Sequence, residues 1–224
     1  MSFVVIEGLD GSGKSTQIKM LKDYFEKQKI RYQYLHFPRT DSPVYGDLIA
    51  RFLRGEMGNI NDVDPYLVAL IYAGDRETAK EMVREWLRGG SLVLVDRYVI
   101  SNIAFQCAKL GNSVEADKLK HWILNLEYEF NKLPVPDLNI FLDVPFSFTS
   151  QQLQGNRTGD DRDYLRGAAD IHESNLEFQK QVREIYLSLE DRIPGYHVLD
   201  CSGPGGGMLP PGEIFQKIIN LVMG

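Results

Sequence analysis

The fold is decided by one stretch near the start of the chain, Gly8-Leu9-Asp10-Gly11-Ser12-Gly13-Lys14-Ser15-Thr16. It follows a short apolar run, Phe3 to Glu7, and precedes a segment of helical periodicity that begins near residue 14. A glycine-rich turn that ends in Gly-Lys-Ser between a strand and a helix is typical of a phosphate-binding P-loop. An incidental glycine-rich turn is the alternative, but it leaves the flanking strand and helix unexplained. The motif therefore predicts a nucleoside triphosphate ligand and leaves the reaction open.

The parts of this loop have separate physical roles. Glycines let successive backbone N–H groups turn towards phosphate oxygens, and the helix that follows adds its positive N-terminal end. Lys14 is predicted to reach the β- and γ-phosphates, and the Ser15 hydroxyl to bind Mg²⁺. The residues expected to contact the triphosphate are Gly8, Asp10, Gly11, Ser12, Gly13, Lys14, Ser15 and Thr16.

Short apolar runs alternate with longer helical patterns over the rest of the chain. This alternation is typical of βαβ units and a parallel sheet that is buried on both faces. Strands are predicted at 3–7, 32–37, 92–96, 138–144 and 196–200, and helices at about 14–28, 43–54, 65–88, 98–110, 114–131, 146–153, 170–192 and 211–222. We predict an α/β protein with the P-loop NTPase fold: one domain over residues 1–224, with a five-stranded, mainly parallel sheet and helices on both faces.

Composition narrows the classes of function. The 224 residues carry 25 Lys and Arg against 31 Asp and Glu, a net charge of −6, which disfavours nucleic acid as the main partner. Two cysteines provide no disulfide framework, and the four histidines have no metal-ligand spacing, so a reducing cytoplasm is expected. No apolar run approaches the roughly 20 residues of a membrane span, and no secretion signal opens the chain, so we expect no membrane association.

Two further segments place charged side chains at the carboxyl ends of strands, where parallel sheets bind ligands. Asp96 and Arg97 end the third strand, so Asp96 is a candidate Mg²⁺ ligand and Arg97 a candidate to neutralise a transferred phosphate. The alternative is a salt bridge between these two neighbours. Arg39 follows the second strand in Phe37-Pro38-Arg39 and is either a phosphate ligand or an exposed surface charge.

Two pairs of residues, each spaced by one helical turn, suggest a second substrate. Tyr72 and Arg76 are one turn apart, a spacing that lets an aromatic ring stack on a base while the guanidinium donates to its carbonyl edge. Ser101 and Phe105 have the same spacing just after Arg97. The alternative is that the two rings belong to the core and that Arg76 is a solvated charge.

A polar, glycine-rich segment at 154–169 carries Arg157, Arg162 and Arg166. We predict a lid that closes over the transferred phosphate, excludes water and supplies positive charge in the transition state. An ordinary surface loop that happens to contain arginines is the alternative.

Taken in order, these motifs resemble the thymidylate kinase family. The resemblance rests on the P-loop with Asp10 inside it, Phe37-Pro38-Arg39, Tyr72-Ala-Gly-Asp-Arg76, Asp96-Arg97-Tyr98, Leu133-Pro-Val-Pro-Asp-Leu-Asn-Ile-Phe-Leu-Asp143 and the arginine-bearing lid. It implies transfer of the ATP γ-phosphate to dTMP with Mg²⁺, by a homodimer that has the nucleoside monophosphate kinase version of the P-loop fold.

The resemblance also implies roles for residues near the phosphates. Lys14, Ser15 and neighbouring loop amides would bind the ATP phosphates and Mg²⁺. Asp10 would contact the sugar 3′-hydroxyl, and Arg39 and Arg97 would bind the dTMP phosphate. Such a site suits phosphoryl transfer, which needs two anionic partners aligned and their charge neutralised.

For the base and sugar, the resemblance implies a second set of contacts. Tyr72 would stack on thymine, and Arg76 would bind a thymine carbonyl. Ser101 and Gln106 would complete the base pocket. The Phe105 ring would fill the space that a ribose 2′-hydroxyl requires, so that a deoxyribose is preferred.

The chain departs from the family in three places. Many members have phenylalanine where this chain has Tyr72, and some carry a catalytic arginine in the P-loop where this chain has Gly11. Catalytic charge is then expected from the lid, with Arg157 and Arg162 as the first candidates and Arg166 the third. The Gly/Pro-rich stretch 202–212 is long for the family, and either packs near adenine or is plain surface.

Two other functions stay open at this stage. One is a related kinase for another nucleotide or a deoxynucleoside, since selectivity rests on few pocket residues. The other is a P-loop regulatory ATPase, although such a switch would not need a second pocket, and the chain has no Asn-Lys-x-Asp motif for guanine.

Overall fold

The fold is given by a computed structural model that describes residues 2–111, 113–155, 164–167, 170–173, 175–190 and 192–224. Five strands form one sheet: β1 (Phe3–Gly8), β2 (Tyr32–His36), β3 (Leu92–Asp96), β4 (Leu138–Asp143) and β5 (Tyr196–Asp200). Their order is β2-β3-β1-β4-β5, and all four neighbouring pairs are parallel. The predicted α/β fold with a five-stranded sheet is confirmed.

Eight α-helices lie within the described residues: α1 (Lys14–Lys27), α2 (Tyr45–Leu53), α3 (Pro65–Arg88), α4 (Val99–Ala108), α5 (Val114–Leu124), α6 (Phe146–Gln154), α7 (Leu176–Ser188) and α8 (Pro211–Met223). Helix α3 shows why the local signals work. The Asp64 side chain accepts a hydrogen bond from the N–H of Tyr66, and Pro65 needs no partner for the N–H it lacks. No helix in this part of the chain is long and apolar enough to cross a membrane.

Two predicted helices differ from the structure. The helix expected over 114–131 ends as an α-helix at Leu124 and continues as a π-helical turn, Asn125–Phe130. The start predicted at residue 170 was wrong, because α7 begins at Leu176, where the Asn175 side chain accepts a hydrogen bond from the N–H of Phe178 at 3.0 Å. Residues 170–173 instead form turns that reach the cavity described below.

Helices cover both faces of the sheet, which explains why its strands are continuously apolar. Every residue of β1 is buried, with Val5 in the core on one face and Val4 and Ile6 in the core on the other. Such burial on both faces stabilises a parallel sheet and holds its edges in a fixed position.

The strand register brings three loops to one edge of the sheet. Ile6 of β1 and His36 of β2 both lie opposite Asp96 of β3. The P-loop, the Asp96-Arg97 pair and the segment that contains the cis Phe37-Pro38 peptide therefore leave the sheet side by side.

Candidate active site

A cavity of about 1110 Å³ opens at this edge of the sheet. It lies between the P-loop, α3, α4 and the turns at 170–173. The predicted site residues that line it are Asp10, Lys14, Ser15, Arg39, Tyr72, Arg76, Asp96, Arg97, Ser101, Phe105 and Gln106. Most of the residues proposed for two separate substrates thus share one cavity.

The P-loop has the conformation that its glycines allow. Gly11 and Gly13 have φ angles of +74° and +82°, a region in which other residues are strained. A Cβ atom on Gly8 would lie 2.6 Å from the Ser12 hydroxyl oxygen, so the loop closes tightly there. Lys14 Nζ donates hydrogen bonds to the carbonyl oxygens of Gly8 and Leu9, at 3.2 and 2.9 Å. The lysine therefore lies back over the loop that a phosphate would enter.

Arg97 connects the P-loop to the rest of the cavity. Its Nη2 atom donates to Asp10 Oδ1 at 2.7 Å, and its backbone has a φ of +63°. Burial alone would raise the pKa of Asp10, but the cations Arg97 and Lys14 outweigh burial and hold it below its usual value. Asp10 is therefore a carboxylate at neutral pH.

Asp96 has a different partner from its neighbour in sequence. Its Oδ2 atom lies 3.2 Å from Nδ1 of His36, while Arg97 pairs with Asp10. The alternative of an Asp96-Arg97 salt bridge is therefore wrong. Burial raises the pKa of Asp96, but His36, Lys14 and Arg97 together outweigh it, so the pKa lies below its usual value. Its other oxygen, Oδ1, is buried and has no hydrogen-bond partner in the described part of the chain.

Arg39 is held against α3 by Asp75. The backbone N–H of Arg39 donates to Asp75 Oδ2 at 2.8 Å, and its Nε donates to Oδ1 at 3.0 Å. Ser42 also donates to Asp75 Oδ1, at 2.9 Å. Only 20% of the Arg39 side chain is exposed, so it is not the free surface charge of the alternative.

Arg76 is buried and has a dedicated carboxylate. Its Nε and Nη2 atoms donate to the two oxygens of Glu127, which lies in the π-helical turn and is fully buried. Asn102 donates to the same carboxylate at 2.9 Å. Burial would lower the pKa of Arg76, but Glu127 outweighs it and raises the pKa. The alternative of a solvated Arg76 is therefore wrong.

Aromatic residues form one wall of the cavity. The Phe105 ring centroid lies 4.9 Å from that of His172, and the Arg97 guanidinium lies 5.0 Å from the Phe105 centroid. Tyr72 also lines the cavity, and burial raises the pKa of its hydroxyl well above the usual value. Phe105 and His172 therefore pack directly on each other, while Tyr72 lines the same cavity.

The two polar residues predicted for the base pocket differ in their surroundings. The Ser101 hydroxyl donates to the buried carboxylate of Glu7 and lies 2.8 Å from the hydroxyl of Tyr186. Gln106 Oε1 is buried, and the described residues offer it no hydrogen bond. Gln106 therefore keeps an acceptor to offer, whereas the Ser101 hydroxyl would have to exchange one of its present partners to contact a base.

Sequence reasoning missed several residues of this wall. Asp170 and His172 line the cavity, and Gln179 of α7 lies behind them. Burial and the nearby Asp10 carboxylate raise the pKa of Asp170 to about 7, and burial lowers the pKa of His172 to about 3. Only the polar composition of 170–175 could have signalled that the chain turns there before α7 begins.

The predicted lid falls mostly outside the described residues. The candidates Arg157 and Arg162 lie in 156–163, which the structure does not describe, so both stay predictions. The stretch 202–212 is described and folds back onto the P-loop. Met208 Cε would lie 3.4 Å from a Cβ atom on Gly13, and Gln17 of α1 donates to the carbonyl oxygen of Pro211.

Comparisons with known proteins show which family the chain resembles. The family model for thymidylate kinase matches residues 6–204. The thymidylate kinase of Mycobacterium tuberculosis strain H37Rv is 32% identical, over 83% of this chain and 84% of that protein. A probable thymidylate kinase of Pyrobaculum aerophilum is 36% identical, over 90% of this chain and 89% of that protein.

A solved structure supports the fold independently. The thymidylate kinase of Candida albicans matches with a TM-score of 0.71 over 98% of this chain and 90% of that one, at 22% sequence identity. From the family match and these relatives, we conclude that the chain belongs to the thymidylate kinase family and is a nucleoside monophosphate kinase.

Proposed function

We propose that the protein transfers the γ-phosphoryl group of ATP to dTMP, giving dTDP and ADP. The observation that supports this most directly is the 2.7 Å contact between Arg97 and Asp10. This contact joins a P-loop, which suits a triphosphate, to a cavity with two further arginines, which suits a second phosphate. The two phosphate groups would then bind side by side in one cavity, the alignment that phosphoryl transfer needs.

On the donor side, the P-loop amides and Lys14 bind the ATP phosphates. Lys14 exchanges its hydrogen bonds with the carbonyl oxygens of Gly8 and Leu9 for phosphate oxygens when ATP enters. We propose catalytic roles for Lys14, Asp10 and Arg97, which line one cavity.

We propose Ser15 and Asp96 as the protein ligands for Mg²⁺. Asp96 fits this role because its Oδ1 atom is buried, ionised and lacks a hydrogen-bond partner within the described ranges. Hydroxyl and carboxylate oxygens are the donors that Mg²⁺ prefers. When bound, the ion neutralises charge on the triphosphate.

On the acceptor side, Arg39 and Arg97 bind the dTMP phosphate and Asp10 the 3′-hydroxyl. Tyr72 stacks on thymine, and Phe105 fills the space of a 2′-hydroxyl. The set is completed by base contacts from Arg76, Ser101 and Gln106.

Charge in the transition state would come from Arg97 and from the lid. We propose that the lid at about 154–169 belongs to this single kinase domain, and that Arg157 or Arg162 provides that charge. A variant of either arginine should lose turnover more than dTMP affinity.

We also infer a cytoplasmic homodimer. Leu67 and Leu70 of α3 are 58% and 47% exposed and lie one helical turn apart, which suits a second copy as a cover. The thiols of Cys107 and Cys201 lie in the cores on opposite faces of the sheet, an arrangement compatible with a reducing compartment.

The first experiment is an assay of ADP production with ATP, Mg²⁺ and a panel of acceptors: dTMP, its ribose counterpart, dUMP, dCMP, dGMP, AMP and thymidine. We expect dTMP to be phosphorylated with the highest kcat/KM and the ribose counterpart to be a poor acceptor. Nucleotide hydrolysis without any dependence on an acceptor would overturn the proposal.

Arg39→Ala separates a nucleotide kinase from a nucleoside kinase. We expect the KM for dTMP to rise about 10- to 100-fold, because a charge-assisted contact with phosphate contributes about 1.5 to 3 kcal/mol. Thymidine has no phosphate, so an equal effect on thymidine phosphorylation would contradict the role of Arg39. Thermal unfolding of the variant measures the loss of the Asp75 contact separately.

A further inference from the structure

Gln179 occupies an unusual position behind the cavity. It is the fourth residue of α7 and is fully buried. Its Nε2 atom donates two hydrogen bonds, one to Asp10 Oδ2 at 2.9 Å and one to the backbone carbonyl oxygen of His172 at 3.0 Å. One amide group therefore contacts both the P-loop and the turns at 170–173.

The first of these hydrogen bonds fixes the Asp10 carboxylate. Arg97 donates to one carboxylate oxygen, and Gln179 donates to the other. With a donor on each oxygen, the carboxylate cannot rotate without losing one of them. A buried carboxylate that loses a donor is destabilised, so Gln179 restricts the orientation that Asp10 presents to the cavity.

The second hydrogen bond fixes the turns at 170–173, which we call the acceptor wall. His172 packs its ring on Phe105, and the N–H of Ile171 donates to the carbonyl oxygen of Leu53 at 3.0 Å. Residues 170–173 are thereby held between the end of α2 and α4. Gln179 attaches this wall to Asp10, although the two lie about 160 residues apart in the chain.

We propose that Gln179 is a positioning residue that sets the P-loop carboxylate Asp10 and the acceptor wall at 170–173 in one fixed geometry. The effect of this positioning on catalysis rests on the proposed function, because it assumes that Asp10 and the acceptor wall contact dTMP. The chemistry favours glutamine because a side-chain amide supplies two N–H donors from one nitrogen. Leucine supplies none, and a protonated glutamate supplies one.

Gln179→Leu tests the role, with Gln181→Leu as the matched control on the exposed side of the same helix. We expect Gln179→Leu to lower kcat/KM for dTMP about 10- to 100-fold, because small displacements of aligned groups have effects of that size. The KM for ATP should change less than about twofold, and Gln181→Leu should resemble the wild type. A Gln179→Leu variant with wild-type kcat/KM would overturn the proposal.

Hydrogen exchange gives a readout that does not depend on the reaction. The N–H groups of Ile171 and His172 are both hydrogen-bonded. We expect peptides that span 170–173 to exchange faster in Gln179→Leu than in the wild type or in Gln181→Leu. Unchanged exchange would contradict the connection that Gln179 makes between Asp10 and these turns, which we call the bridge. If the wild type fails to phosphorylate dTMP while exchange still rises, the proposed function fails and the bridge stands.

Gln179→Glu adds a pH signature that general damage to the fold would not produce. It sets a second carboxyl group beside Asp10, and two such groups in contact cannot both ionise cheaply. The charged and titratable groups that face this pair are Arg97, Lys14, His172 and Asp170. Below the raised pKa of the pair, the protonated variant still donates to Asp10; above it, the two carboxylates repel.

The ratio of the variant's kcat/KM to that of the wild type should therefore fall as pH rises from 6 to 9. Asp170 titrates in both proteins, so the ratio reports mainly the carboxyl group that the substitution adds. A ratio that is independent of pH would overturn the positioning role.

Discussion

The acceptor cavity and the P-loop hold their cations in different ways. In the cavity, Arg39, Arg76 and Arg97 each have a dedicated carboxylate, from Asp75, Glu127 and Asp10. In the P-loop, Lys14 donates to the carbonyl oxygens of its own loop. The P-loop also contains a buried Ser12 hydroxyl that finds no hydrogen bond among the residues described.

This difference separates a site that is already in place from a loop that its ligand completes. A guanidinium that is fixed by a carboxylate has already lost its rotamer freedom, so the acceptor site is preorganised before any ligand enters. These ion pairs also contribute to the free energy of unfolding, because they take part in the packing of α3 and α4. The P-loop groups are completed by the ligand, so their removal should affect the reaction more than the fold.

The largest expected effect comes from the P-loop. Lys14→Ala should lower kcat by about 10³-fold or more, because it removes a positive charge at the transferred phosphate. The variant loses two hydrogen bonds to carbonyl oxygens and a positive charge near Asp10. We therefore expect the free energy of unfolding to fall by about 1 to 2 kcal/mol, with the protein still folded. Steady-state kinetics and urea unfolding measure the two effects. Loss of folding in this variant would erase the contrast between the two regions.

The next largest effect comes from the acceptor cavity. One substitution there should weaken dTMP binding and also lower the free energy of unfolding. Glu127→Gln leaves the buried Arg76 guanidinium without its counterion, which should lower the free energy of unfolding by about 3 kcal/mol. The KM for dTMP should rise as well, because Arg76 is no longer held in place. Urea unfolding and dTMP titration measure both changes.

Glu129→Gln is the matched control, two residues along the same π-helical turn. Glu129 pairs with Lys132 at 3.4 Å, and both side chains are largely exposed, at 72% and 65%. Exposed pairs contribute at most about 1 kcal/mol, so this variant should unfold close to the wild type. Equal losses in the two variants would show that the turn, and not the ion pair, determines the effect.

The smallest expected effect is a pH dependence of the free energy of unfolding, which comes from Asp170 in the acceptor wall. The pKa of Asp170 is raised to about 7, so the folded protein holds a proton that the unfolded chain releases near pH 4. The stability from this proton is complete at low pH and is lost as pH rises through 7. Between pH 6 and 7, the free energy of unfolding should therefore fall by about 1 kcal/mol more in the wild type than in Asp170→Asn.

Urea unfolding at the two pH values tests this prediction. The exposed Asp41→Asn provides the control and should keep the wild-type dependence. An Asp170→Asn variant with the wild-type slope would show that Asp170 is ionised in the folded protein.

Local sequence predicted much of the site because some features depend only on nearby residues. The glycines that permit positive φ angles, the Asp64 cap and the one-turn spacing of Tyr72 and Arg76 are all local. The apolar strands predicted the parallel sheet, and a parallel sheet brings its carboxyl ends together. The P-loop, Arg39 and Arg97 therefore share the cavity that their sequence positions predicted.

The sequence by itself determined the strands, the phosphate loop and the residue types at the ligand edge, because backbone conformation and side-chain periodicity are set over a few residues. Only the tertiary structure decided which charges pair: Arg97 with Asp10 instead of Asp96, Arg76 with Glu127, and Gln179 with Asp10. Partners this far apart in the chain meet only after packing, and a buried charge or amide must then take whichever complementary group the fold places beside it.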